Sequence, residues 1–495
     1  MTAQFPMRAA ALATVLFLAA CGGSDDSEPI LSGETRAQDT RTFTVAPLTS
    51  TAVYADAVVA ADGKPSFTAM TGHETTSRWA GELNGSAYRV EVPANWNGEL
   101  VMYAHGYRGT GAALTTGNPS IRRYLLEKGY AWAASSYGKN YYDVRAGVED
   151  TNALALAFNN IAAANGRTLA APTKTFITGH SMGGHIAAAA IDAEAAQANN
   201  RVRYAGAVPM CGVTGDKELF DTFTAMQISA QTLVGLPNNP LPNWSGISAQ
   251  VNSALWTAFP STATPTAVPT PTPLGLKYAS IVKNLTGGER PLFMLGLTRG
   301  GSFPSSYGTF GGDGTVNGIL NKWGNDTTRY TYVIDGDAAT SAAVNANAPK
   351  AVRDPLANAR RADGLRWIPQ ANGDFNVPVV AIHTLGDLFV PFHMMQVFRQ
   401  RAESKGNGNR IVTRAIRGIS HCDFTIAEQN EAFDAMVQWE KGGAKPAGDD
   451  ILNPTVVAAP TFGCTFTRPP TAGVDSATTT ALRGLIASTP GGACP

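Results

Sequence analysis

The chain has no excess charge of either sign: 38 Lys and Arg stand against 38 Asp and Glu. A neutral balance removes the electrostatic reason to expect a nucleic acid or another polyanion as partner. There is no G-x-G-x-x-G opening a helix and no Walker sequence, so no loop is built to cradle nucleotide phosphates. No propeller repeat is present. The apolar run at 9–20 is 12 residues long, well short of the roughly 20 needed to span a bilayer. Asp335-Gly336-Asp337 lacks the ligand count of a calcium site and reads as a turn. Neither a metal nor an organic cofactor is implied. Histidine is scarce, seven in 495 residues, so few positions can supply a catalytic base.

What is present is a large apolar fraction, 44% of residues, ample for a buried core. Strand-like and helix-like stretches alternate. Strands are expected at 88–92, 99–104, 130–135, 174–178 and 202–208, then at 377–383 and 410–416. Helices are expected at 119–128, 148–164, 186–196 and from Thr425 to Trp439. This alternation predicts an α/β fold with a mostly parallel sheet and helices on both faces. Chemistry then belongs at the carboxyl ends of the strands.

The most informative residues are Gly179-His180-Ser181-Met182-Gly183, set between the 174–178 strand and the Ala-rich helix. A Ser on a sharp strand-to-helix turn holds its Oγ clear of its own backbone, where a carbonyl carbon can approach. Glycines flank it because a side chain at either position would strike the neighbouring strand or helix. Downstream, the 377–383 strand runs into Thr384-Leu385-Gly386-Asp387-Leu388-Phe389-Val390-Pro391, which puts an acid just past a strand end. Gly418-Ile419-Ser420-His421-Cys422 follows the 410–416 strand. His421 is the histidine that lies after Asp387 on a strand-to-helix loop. His393 opens a helical stretch and points elsewhere.

In these residues the chain resembles the α/β-hydrolase superfamily, over roughly 88–442. The order Ser181, Asp387, His421 is that family's order and not the chymotrypsin or subtilisin order. Asp216 is the alternative acid, since some family members place it after the preceding strand. The resemblance implies a catalytic Ser181 with His421 as base and Asp387 as orienting acid. His105-Gly106-Tyr107, after the 99–104 strand, resembles the family's oxyanion loop. The backbone N–H groups of Tyr107 and Met182 are the expected oxyanion donors, and His105 is expected to be structural. His421-Cys422 is similar to tannases and feruloyl esterases, but those carry a Cys beside the nucleophile where this chain has His180.

Between 212 and 375 the alternation breaks, where the minimal fold needs only a crossover helix. The position resembles the family's insertion point for a lid. The segment starts helically at 217–236, includes a Pro/Thr-rich stretch at 260–273 and is rich in aromatics, some expected in a lid core and some in an acyl pocket. Expected boundaries are a lipoprotein signal peptide at 1–20, a tether at 21–45, hydrolase core at 46–211, a lid insertion at 212–375, core again at 376–442 and a C-terminal extension at 443–495.

The amino terminus, Leu18-Ala19-Ala20-Cys21-Gly22, resembles a bacterial lipobox. That implies lipidation of Cys21 and a membrane anchor at the outer membrane, or at the periplasmic or extracellular face. Setting Cys21 aside leaves Cys211, Cys422, Cys464 and Cys494, which allow three connectivities in an oxidising compartment. Cys211–Cys422 is favoured, because both sit at the carboxyl edge of the sheet, and Cys464–Cys494 would staple the tail. The expected activity is carboxylic ester hydrolysis through an acyl-enzyme, with a small or polymeric ester as substrate and no protein partner. The alternatives are a peptidase or acyltransferase of the same fold, or a non-catalytic surface lipoprotein.

Overall fold

The computed structural model describes residues 28–494 apart from 262, 265 and 317. The expected signal peptide, Cys21 and the first part of the tether lie outside the described residues.

Eight strands form the central sheet: β1 (Ser77–Leu83), β2 (Ser86–Val92), β3 (Glu99–Ala104), β4 (Ala131–Ser135), β5 (Lys174–His180), β6 (Gly206–Met210), β7 (Val379–Thr384) and β8 (Ile411–Ile416). Their spatial order is β8-β7-β6-β5-β3-β4-β2-β1. Only β2 runs antiparallel to its neighbours β1 and β4; all other pairings are parallel. The strands from β3 to β8 read as nearly continuous apolar runs because helices cover both faces. In β5, Phe176 packs on one face with Val101, Val208, Phe433 and Met436. Ile177 points to the other face, among Met102, Val148, Phe158 and Ile186. Helices α1 (Arg122–Glu127) and α11 (Ile426–Glu440) cover the first face; α2 (Val144–Ala164) and α3 (Met182–Ile191) cover the second. This is the α/β-hydrolase fold.

Several boundaries differ from expectation for local reasons. The strand expected at 202–208 lies at Gly206–Met210, since parallel pairing with β5 begins at Phe176↔Gly206. The helix expected to start at 186 starts at Met182, immediately after the nucleophile candidate. Helix α2 starts at Val144 rather than 148, because the Asp143 carboxylate accepts the Ala146 N–H and caps it. Helix α1 is shorter than 119–128; Pro119 forms the preceding turn, its carbonyl accepting the Arg122 N–H. The capping box Thr425…Glu428 opens α11.

Between β6 and β7 the insertion carries α4 (Glu218–Leu233), α5 (Trp244–Leu255), α6 (Pro273–Leu285), α7 (Phe293–Arg299), α8 (Ser302–Tyr307) and α9 (Ala338–Asn347). Its own centre is aromatic: Trp244, Trp256, Phe303, Tyr307 and Phe310 pack in edge-on and tilted pairs. Asp335-Gly336-Asp337 is a turn whose two carboxylates pair with Lys283 (2.5 Å) and Lys277 (2.6 Å). After β7 come α10 (His393–Ser404), then β8 and α11, and then a tail with α12 (Pro454–Val457) and α13 (Ala477–Ser488). Cys464–Cys494 is a disulfide within that tail. The buried Arg417 guanidinium holds the tail by donating to the carbonyls of Pro460, Phe462, Gly491 and Gly492.

Candidate active site

Ser181 sits between β5 and α3 with φ 58° and ψ −123°, a conformation that an L-residue adopts only when its surroundings impose it. Here they do. A Cβ on Gly183 would fall 2.0 Å from the Ala104 carbonyl oxygen, and one on Gly179 would fall 2.3 Å from the Gly183 oxygen. Both glycines let strand β3, strand β5 and helix α3 close on one another beneath the Ser. The Ser181 N–H donates to the Met210 carbonyl (3.0 Å), and the Ser181 carbonyl accepts from Gly184, His185 and Val213. The turn is therefore held by β6 as well as by its own helix.

His421 Nε2 lies 2.8 Å from Ser181 Oγ, and its Nδ1 lies 2.6 Å from Asp387 Oδ2. Asp387 is fully buried, while the His421 side chain keeps 22% exposure. The second carboxylate oxygen, Oδ1, accepts the N–H groups of Phe389 (2.9 Å) and Val390 (3.1 Å). Those bonds leave Oδ2 facing the imidazole. His383 Nε2–H donates to the Val390 carbonyl at 2.7 Å and braces the same turn. Asp216, the alternative acid, is committed elsewhere: it pairs with Arg401 and accepts the Lys217 and Ala371 N–H groups.

Among the described residues, no protein acceptor takes the backbone N–H of Tyr107 or of Met182. Met182 is the first residue of α3, so its N–H adds to the positive end of that helix. The 105–107 loop lies against Ser181: a Cβ on Gly106 would sit 3.2 Å from Ser181 Cβ. His105 is buried, stacked on Tyr137 at 4.2 Å, and burial pushes its pKa down to about 4. It is neutral and structural. His180 holds Gln429 Oε1 at 2.9 Å and is likewise pushed to about 4 by burial. His393 lies in the α10–α4 contact, with Nε2 3.0 Å from Thr222 Oγ1, and takes no part in the relay.

Cys211 and Cys422 form a disulfide that ties the end of β6 to the residue after His421. Cys422 Sγ lies 3.5 Å from His421 Nε2. Cys211, His421 and Cys422 converge like a ligand set, but sulfurs bonded to each other offer no thiolate to a metal.

The insertion contributes residues that sequence reasoning missed. Arg290, buried just before α7, donates from Nε to the Leu385 carbonyl at 2.8 Å, two residues before the acid. Burial without a carboxylate in contact lowers its pKa to about 9. Ser302 Oγ accepts the Leu388 N–H at 3.0 Å. A Cβ on Gly296 would fall 2.2 Å from the Gly386 oxygen, and one on Gly300 would fall 1.9 Å from the Ile419 oxygen. Helix α7 and its C-terminal Gly300 are thus packed backbone-to-backbone on the loops that carry Asp387 and His421, and α8 adds the Ser302 hydroxyl. Of these positions the sequence marked only Gly300, in a Gly300-Gly301 pair that reads as a turn.

No family model matches the chain. It is 22% identical over 442 residues to an o-phthalyl amidase of Xanthobacter agilis, an alignment covering 79% of this chain and 93% of that protein. Among solved structures it is similar to feruloyl esterase B of Aspergillus oryzae, with 15% identity, a TM-score of 0.41, and 77% of this chain and 85% of that chain covered. It is also similar to Thermogutta terrifontis esterase 2, with 12% identity, a TM-score of 0.35, and 76% and 98% covered.

Proposed function

We propose that the chain is a serine hydrolase that cleaves carboxylic esters through an acyl-enzyme at Ser181. The observation that carries this reading is the continuous relay Ser181 Oγ, His421, Asp387, with both links inside hydrogen-bond range. His421 Nε2 takes the Ser181 proton as Oγ attacks the carbonyl carbon, and Asp387 keeps the other ring nitrogen protonated and stabilises the cation that forms. The N–H groups of Tyr107 and Met182 receive the negative oxygen; losing one such donor typically costs ~2.7–4 kcal/mol of barrier. The imidazolium then protonates the departing alcohol. In the second half the same nitrogen draws a proton from water as the water oxygen attacks the acyl carbon, and the imidazolium returns that proton to Ser181 Oγ as the carboxylic acid is released.

Amide hydrolysis is the second reading, favoured by the name of the amidase relative; the same relay would protonate a departing amine. Two disulfides support an oxidising compartment. With the lipobox-like run ending at Cys21, they support export and a lipid anchor.

The test is turnover of p-nitrophenyl acetate and butyrate, with the matching anilides, by the wild type and by Ser181→Ala. Ester turnover in the wild type that disappears in the variant supports the reading. Equal rates for the two proteins would leave a non-catalytic scaffold, and anilide turnover exceeding ester turnover would favour the amidase.

A further inference from the structure

The Cys211–Cys422 bridge lies against the nitrogen that does the chemistry. Cys422 Sγ is 3.5 Å from His421 Nε2, the same nitrogen that faces Ser181 Oγ. Cys211 Sγ, Cys422 Sγ and a ring nitrogen of His421 all fall within 4.8 Å of one another, the one such convergence of metal-ligating side chains among the described residues. While the sulfurs are bonded to each other the group binds nothing. Opened by two electrons, it becomes two thiols beside an imidazole.

The spacing suits one class of ion. Zinc holds thiolate sulfur at about 2.3 Å and imidazole nitrogen at about 2.0–2.1 Å, with tetrahedral angles. Those lengths put sulfur and nitrogen about 3.5 Å apart and two sulfurs about 3.8 Å apart. The 3.5 Å between Cys422 Sγ and His421 Nε2 already has the first length. Only the two sulfurs must part, and loss of their covalent bond permits it. The backbone around them has other ties. The Cys211 N–H donates to the Ile382 carbonyl in β7, and the Cys422 carbonyl accepts the Phe424 N–H, both at 2.9 Å. Cys211 is buried, but Cys422 and His421 are half-buried, which leaves a reductant and then a metal a side to approach from.

The far side of the imidazole is prepared as well. A histidine that binds a metal almost always donates its other N–H to an acceptor such as a carboxylate, which fixes the tautomer and makes the ligating nitrogen more basic. Asp387 Oδ2, 2.6 Å from His421 Nδ1, is such a carboxylate. The neutral tautomer that leaves Nε2 free to take the Ser181 proton is also the one that binds a metal. Two thiolates neutralise a divalent ion, so it enters without stranding a charge beside buried Cys211. The fourth tetrahedral position is left to water or to Ser181 Oγ.

We propose that Cys211, Cys422 and His421 form a latent zinc site: a dithiol reductant opens the bridge, and a thiophilic divalent cation then binds both thiolates and His421 Nε2 and stops the relay. In the first step the dithiol gives up two electrons and two protons, closes to its own disulfide, and leaves both cysteines as thiols. In the second, zinc displaces those two protons to solvent and occupies the Nε2 lone pair. That lone pair is the one that receives the Ser181 proton. Binding stands on the geometry alone; the inhibition rests on His421 being the base of the proposed hydrolase.

The experiment treats the folded protein with a trialkylphosphine, which becomes its oxide with oxygen from water while each sulfur takes up a proton. The reagent is then removed without air. Cobalt(II), standing in for zinc, is expected to give thiolate charge-transfer and tetrahedral d–d bands in the reduced protein and none in the oxidised one. One equivalent of zinc is expected to lower p-nitrophenyl butyrate turnover by the reduced protein about 100-fold or more, the scale of losing a general base. The oxidised protein should be unaffected, and a chelator should return turnover to that of the reduced, metal-free protein. Cys422→Ser, or Cys211→Ser should that variant not fold, is expected to lose both responses; a Cys464→Ser, Cys494→Ser variant is expected to keep them. A bridge that the phosphine cannot open without unfolding the protein, a reduced protein without cobalt–thiolate bands, bands that survive in the Cys422 or Cys211 variant, or equal inhibition of oxidised and reduced protein would overturn the site. Failure of the hydrolase reading would look different: the bands would appear in a protein whose ester turnover is unchanged by Ser181→Ala.

Discussion

The two halves of the relay are held in place by different means. Ser181 is positioned by sequence neighbours and by the strands beside it: two glycines, the first turn of α3, and the carbonyl of Met210. Asp387 is held by its own turn, through the Phe389 and Val390 N–H groups, but its loop and that of His421 are also pressed by partners far away in the chain. Arg290, Gly296, Gly300 and Ser302 press on their loops from the insertion, and Cys211 holds Cys422 across 211 residues. Ser181 is fixed by its own elbow and the two strands beside it; Asp387 and His421 additionally depend on the insertion and on the Cys211–Cys422 bridge. The insertion accordingly buttresses both loops through Arg290, α7 and the start of α8.

That contrast can be broken from either side. The largest effect is chemical: Ser181→Ala should lower kcat about 10³- to 10⁶-fold without altering stability, measured by ester turnover alongside thermal unfolding. Gly183→Ala attacks the same half by packing. Its Cβ meets Ala104 backbone that cannot rotate away, so a loss of about 1–3 kcal/mol or more in stability is expected, with activity lost as well. A variant as stable and active as the wild type would mean that the elbow does not depend on that close approach.

On the remote half the losses should be partial. Replacing Cys211 and Cys422 together by Ala should cost about 2–4 kcal/mol of stability. It should lower kcat about 10- to 100-fold by loosening His421, with KM little changed. Arg290→Met should leave the Leu385 carbonyl without its donor, an unpaired buried acceptor worth about 1–3 kcal/mol, and lower kcat about 10-fold through a misplaced Asp387. If kcat were unaffected, the insertion would merely cover the site.

The effect that touches the relay least is a pH dependence at the seam between α4 and α10. Burial lowers the His393 pKa from 6.5 to about 3. Between pH 6.5 and that value the unfolded chain binds the proton and the folded chain does not, so this residue's contribution falls as pH falls. Asp150, raised to about 6 by burial, acts in the opposite sense between its ordinary value and 6, so the useful quantity is a difference. The stability of His393→Gln relative to the wild type should grow on acidification below 6.5 by up to about 1.4 kcal/mol per pH unit. A difference flat with pH would contradict the buried neutral imidazole.

The same contrast explains what could be read from sequence. The elbow, the strand alternation, the acid after β7 and the histidine after β8 are local patterns, and the structure brings Ser181, Asp387 and His421 together. The cysteine pairing followed from which strand ends share the sheet edge. Residues such as Arg290, Ser302 and Phe389 carried no local mark, because their importance comes only from what the tertiary fold sets against them. Strand β6 was displaced for the same reason: pairing register, not composition, decides where a parallel strand begins.

The most direct test of the relay is covalent labelling with an alkyl fluorophosphonate, followed by peptide mass spectrometry. The account predicts one adduct per chain on the peptide containing Ser181, slowed strongly in His421→Ala and absent in Ser181→Ala. An adduct on a different serine in an ester-hydrolysing wild type, or labelling of Ser181 at full rate without His421, would contradict it.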